Sequence, residues 1–173
     1  MTMTPGLRKL ALAVHVTFSV GWIGAVAAFL ALAVAGLTSR DAQMVHAAYL
    51  AMEVTTWFVI VPLAIVSLLS GVVSSVGTSW GLFRHYWVLA KLLMTIFAII
   101  ALLIHTQPID LLAAAETTAF SADLQSQQLH MLIASGAALV VLIALTVLSL
   151  YKPQGMTRYG WRKQRERPAP SQP

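Results

Sequence analysis

Four apolar stretches divide this chain, and its polar residues gather between them. The first runs from about Leu10 to Leu37, the second from about Val54 to Val76, the third from about Tyr86 to Ile104, and the fourth from about Leu129 to Tyr151. Each is long enough for the ~20 residues a helix needs to cross a ~30 Å hydrocarbon core. None alternates with a period of two, which excludes a membrane β-barrel. The pattern predicts an all-α polytopic membrane protein, an antiparallel four-transmembrane-helix bundle. It occupies residues 1–151, with helices at about 8–37, 54–77, 86–106 and 129–151.

Local signals refine these limits. Pro108 closes the third helix, and Pro153 with Gly155 closes the fourth. Ser39 or Asp41 is placed to cap an extension of the second helix into the preceding loop. On that extension His46, Glu53 and Trp57 share a face. Ser121 is similarly placed to begin the fourth helix early. Pro62 is expected to kink the second helix. Small residues recur at every fourth position in Ala27-Ala31-Ala35, Ser67-Gly71-Ser75 and Ala134-Ala138, marking ridges where backbones approach closely. Such ridges also permit a homodimer or a partner within a membrane complex. Ala33-Val34-Ala35 before Gly36 resembles a signal-peptide cleavage site, but the apolar run ahead of it is too long for a signal core. A retained helix is expected.

Composition agrees with a lipid solvent. Hydrophobic residues make up 58% of the chain and charged ones 10%, against roughly 25% charged in soluble domains. The absence of cysteine removes disulfides, thiolate metal sites and thiol catalysis. The net charge of +5 is local: from Lys152 onward six basic residues face the single acid Glu166, and the preceding chain is balanced. Residues 152–173 therefore read as a basic, disordered tail anchored on anionic lipid, lacking a recognisable nucleic-acid-binding fold and with few aromatics to stack on bases.

The same charges orient the chain. Arg8 and Lys9 precede the first helix, Arg84 lies between the second and third, and the basic tail follows the fourth. The Thr106–Gln128 connection holds Asp110, Glu116 and Asp123 and no Lys or Arg. The positive-inside rule places both termini and the middle loop in the cytoplasm. Arg40, next to Asp41, is the one exception.

Ionisable groups at membrane depth are the candidates for chemistry, because burying them is costly. A rise of 1.5 Å per residue puts His15 and Lys91 roughly 9–13 Å to the cytoplasmic side of the midplane, and His105 and His130 about 12–15 Å to the outer side. Two levels result. At the outer one, His105 and His130 are read as a bis-imidazole site for haem iron or a first-row metal, with His46 a weaker third ligand. The bland alternative is a pair of interfacial histidines bonding loop carbonyls. At the inner level, His15 is an axial ligand or proton carrier, or else bonds a neighbouring helix's backbone. Lys91 either assists it or snorkels to the interface beside Tyr86 and Trp87. Phosphate-binding loops, metalloprotease pairs and nucleophile elbows are missing from the sequence.

His15-Val16 with Gly21-Trp22-Ile23-Gly24, Tyr86-Trp87-Val88-Leu89-Ala90-Lys91 and His105-Thr106-Gln107-Pro108 resemble small bacterial four-helix membrane proteins of the DUF2269 type. The ending from Tyr151 to Gly160 is similar to actinobacterial members, and the resemblance spans about Leu7 to Trp161. It implies a multi-pass protein of the bacterial cytoplasmic membrane and imports no activity. More distantly, the His15 helix and Trp87-x₃-Lys91 resemble HemJ-type protoporphyrinogen oxidases and the CopD-type copper-resistance domain. The HemJ resemblance implies roles for His15 and Lys91 with haem b, although the sequence after Trp22 lacks that family's larger polar motif. The expected function is binding of haem b, or alternatively copper, for electron transfer or redox chemistry. The competing expectation is a structural or accessory membrane subunit without a cofactor. A proton-coupled transporter fits less well, since four helices offer no repeat architecture and few intramembrane acids.

Overall fold

The computed structural model describes residues 3–77, 83, 85–104, 106, 122–151, 155 and 157–165. They are helical almost throughout. α1 is Pro5–Thr38, α2 is Ala42–Thr55, α3 is Val61–Val76 and α4 is Tyr86–Ile104. α5 is Ala122–Tyr151 and α6 is Arg158–Arg165. Four stretches are long and apolar enough to cross a membrane: Pro5–Thr38, Ala42–Val76, Tyr86–Ile104 and Ser126–Tyr151.

Helix ends follow local chemistry. Pro5 occupies the first turn of α1, where its missing N–H has no intrahelical partner to lose. α2 starts at Ala42, well before the Val54 that hydropathy suggests, because the Asp41 carboxylate accepts from the Gln43 backbone N–H at 3.0 Å. Of the two candidate caps, Asp41 is the one used. α5 likewise begins at Ala122 and not near Leu129. Pro108 and Pro153, the expected helix stops, lie outside the described residues. In the basic stretch expected to be disordered, Arg158–Arg165 form a helix.

Pro62 acts one turn upstream of itself. Residues Thr56–Ile60 form a π-helical turn between α2 and α3, and the Val61 N–H reaches back to the Thr56 carbonyl. Proline supplies no N–H to a carbonyl in the turn before it, and a widened turn absorbs the mismatch. The Thr56 hydroxyl, buried in the core, donates to the Met52 carbonyl at 2.8 Å. The kink expected at Pro62 is thus realised as an inserted residue.

That insertion keeps one face of α2 and α3 against α1. On α1 the buried residues are Trp22, Val26, Phe29, Ala33 and Gly36, spaced alternately four and three apart. This is the seam expected of helices packing side by side. Opposite it, Tyr49, Met52, Thr56, Ile60, Ala64 and Ser67 are buried. Their spacing stretches to four three times in succession, from Met52 through Thr56 and Ile60 to Ala64, which the π turn accommodates. A Cβ at Gly36 would meet Tyr49, one at Gly21 would meet Leu63, and one at Gly71 would meet His15. Partner numbers fall as α1 numbers rise, so these two spans run in opposite directions. Met131, Leu142 and Leu145 of α5 complete the core cluster.

The small-residue ridges are only partly used. Ser67 is buried and Gly71 lies against α1, as the spacing predicts. Ala27 and Ala31 instead are exposed, and α1 packs through its larger residues. On α4, Leu93, Phe97, Ile100 and Ile104 form an exposed stripe at helical spacing. A contiguous apolar face of that kind is at odds with water and suits hydrocarbon.

Gly36 offers a direct check on the seam. A Cβ there would lie 3.0 Å from both Cζ and the hydroxyl oxygen of Tyr49, whose ring is buried. Gly36→Ala is expected to destabilise by about 1–3 kcal/mol, the usual cost of overpacking. Thermal unfolding in detergent reads this as a lowered Tm. An unchanged Tm would mean that the Tyr49 ring is not seated on Gly36.

Candidate functional site

The seam of α1 continues toward its N-terminus through the half-buried Ser19 and His15, at the same four-and-three spacing. There the partners change from apolar to polar. The His15 Nδ1 lies 3.1 Å from the Ser67 carbonyl oxygen and 3.2 Å from the Ser70 Oγ. Ser70 directs its own hydroxyl to the Val66 carbonyl at 2.7 Å, which leaves its oxygen free to accept. A carbonyl can only accept, so the proton sits on Nδ1, shared between the two oxygens. The remaining ring nitrogen, Nε2, then carries the lone pair. Below it, the hydroxyls of Ser19 and Ser67 are 2.8 Å apart.

Gly71 makes room for this ring. A Cβ at that position would stand 3.0 Å from His15 Cε1 and 3.4 Å from Nδ1. Any larger residue presses on the imidazole, which must give by a few tenths of an ångström or more. The glycine is therefore a steric condition for the His15 position, beyond its place in a ridge.

Lys91 belongs to the same level. It is half-buried on α4 and finds its partner on α5. The ammonium donates to the Ser149 hydroxyl on α5, and that hydroxyl in turn donates to the Leu145 carbonyl at 3.1 Å. Ser149 stands two residues before the end of α5, so the contact is compatible with both roles read for Lys91. Among the described residues, the inner level is consequently basic. Asp41 and Glu53, the described acids with described side chains, lie on α2 or at its cap, at the other end of the span.

The outer level is less complete. His105 lies outside the described residues, so its relation to His130 does not enter the geometry. His130 is exposed on α5, and His46 is half-buried on α2. Among the described residues, no three His, Cys, Asp or Glu side chains cluster to hold a metal ion.

Sequence reasoning named His15 and Lys91 but missed Ser70, Ser19 and Ser149. A signal for two of them exists. Ser67 and Ser70 are three residues apart, and Ser19 is four from His15, so hydroxyls recur on the turns nearest the imidazole. Ser149 leaves no such trace, being far from Lys91 in sequence. No protein-family model, curated protein or solved structure matches this chain.

Proposed function

We propose that this chain is a multi-pass protein of a bacterial cytoplasmic membrane, an antiparallel four-helix bundle with both termini inside, that holds haem b at the level of His15 and Lys91. The observation that carries the reading is the His15 hydrogen bond to the Ser67 carbonyl. It fixes the tautomer and leaves Nε2 as a ligand, the arrangement found behind metal-bound histidines generally. Lys91 supports it from another side. A half-buried amine with no acid at its level among the described residues calls for an anionic partner, and haem carries carboxylates.

The donor set favours haem over bare copper. A porphyrin brings four nitrogens of its own and asks the protein for one or two axial ligands, whereas copper needs a cluster of side chains. A positively charged Lys91 also opposes a bare cation. Bound haem would supply one-electron redox chemistry. The chain's own residues would do the rest: His15 ligates, Ser67 and Ser70 hold its proton, and Lys91 neutralises carboxylate charge. His105 and His130 form the alternative, outer site for haem or copper, with His46 nearest in kind.

One observation favours a second reading, an accessory membrane protein without a cofactor. His15 and Lys91 each already have a polar partner on a neighbouring helix, which suffices for a helix clamp. An absorption spectrum of protein purified from haem-replete cells, with metal analysis of the same sample, separates the readings. A Soret band with iron is expected. A colourless, metal-free protein would establish the clamp instead.

A further inference from the structure

The basic stretch after α5 has a structured and anchored part. The Thr157 hydroxyl donates to the Phe83 carbonyl at 2.6 Å, and the Tyr86 N–H donates to the Gly155 carbonyl at 3.4 Å. Both contacts tie the segment to the residues that open α4. The Trp161 N–H then bonds the Thr157 carbonyl at 3.0 Å, starting α6 immediately beyond the tie. Position and charge are thereby linked, since α6 is held at the ends of two candidate spans.

The surroundings mark this end as an interface. Tyr86 is 56% exposed and Tyr151, the last residue of α5, is 82% exposed. Exposed aromatic residues at span ends are the belt found where hydrocarbon meets headgroups. On α6, Arg158, Trp161, Arg162 and Arg165 fall at i, i+3, i+4 and i+7, a single helical face. All four are exposed, Trp161 at 55%. The face has one aromatic ring for the interface and three guanidinium groups, whose planar donors suit phosphate oxygens.

We infer that α6 is an interfacial helix whose Arg158–Trp161–Arg162–Arg165 face docks on the anionic phospholipid headgroups of the membrane that the chain spans. The charge match decides the occupant: +5 resides in the stretch from Lys152 onward, and anionic lipids attract such clusters beside a span. Docking also steadies the first turns of α4 through the Thr157 and Gly155 contacts. The inference rests on the multi-pass reading and is independent of haem.

Hydrogen–deuterium exchange on the full chain in nanodiscs tests it, comparing phosphatidylcholine alone with a phosphatidylcholine–phosphatidylglycerol mixture. At low salt, amides of residues 158–165 should exchange at least about tenfold more slowly in the anionic discs, because several cations each gain from the surface potential. High salt and the triple variant R158Q/R162Q/R165Q should each remove the difference. Equal exchange in both lipids overturns the inference, as does slow exchange that appears only when RNA is added. Discs expose both leaflets, so the orientation of the chain does not affect the result. A chain that fails to enter discs contradicts the multi-pass reading, whereas one that enters and ignores lipid charge contradicts this inference alone.

Discussion

His15→Ala, expressed in haem-replete cells, should retain at least about tenfold less haem per chain than the wild type, since losing an axial ligand costs no less than losing the outer-shell groups behind one. His130→Ala should keep its Soret band. The expectation follows from the geometry of one ring. His15 is half-buried on the line of the α1 seam, with Nδ1 committed to Ser67 and Ser70 and Nε2 left as the lone-pair nitrogen. His130 is exposed on α5 and lacks that enclosure. Haem content by pyridine haemochromogen assay decides between them. The reverse pattern, with loss in His130→Ala and retention in His15→Ala, would move the site to the outer level. His105→Ala would then be expected to behave like His130→Ala.

The second large effect is steric. Gly71→Val should both destabilise the protein and remove the site. The Cβ alone would stand 3.0 Å from His15 Cε1, closer than an ordinary contact, and a branched side chain adds two more carbons. Overpacking of this kind costs about 1–3 kcal/mol. The ring must swing away from Ser67, and the hydrogen bond that sets its tautomer is lost. A lowered Tm together with haem loss comparable to His15→Ala is the expected pair of results. To separate misfolding from displacement, His15→Ala/Gly71→Val should recover part of the Tm while remaining without haem. If Gly71→Val keeps its haem, the ring is not held where the seam puts it.

How much of this was legible in the sequence depends on the range of the interaction. The four apolar runs were plain, because the length and apolarity that a membrane crossing asks for are spread over every residue of a candidate span. Helix starts were harder: α2 and α5 extend into polar sequence, which hydropathy does not score, although Asp41 stood out as a cap. The ridge of Ala27 and Ala31 misled, since small size permits close approach without requiring it. α1 instead packs through Trp22, Val26 and Phe29. The alternating seam that includes His15 was present in the sequence, and reading it through would have set His15 apart from the exposed His130. Pro62 announced a disturbance but gave no hint that an extra residue in a π turn would absorb it. Contacts such as Lys91 with Ser149 depend on how α4 and α5 settle together, and no local pattern encodes that.

The tautomer of His15 connects these points, because it depends on the seam, on Gly71 and on the Ser67 carbonyl together. The most direct test of the central claim is a haem titration of the wild-type protein in nanodiscs, followed by absorption and by electron paramagnetic resonance of the ferric state. The account predicts saturation at about one haem per chain, with an imidazole-ligated iron signal. A titration that shows only unsaturable, weak partitioning of haem into the lipid, unchanged by His15→Ala, would contradict it.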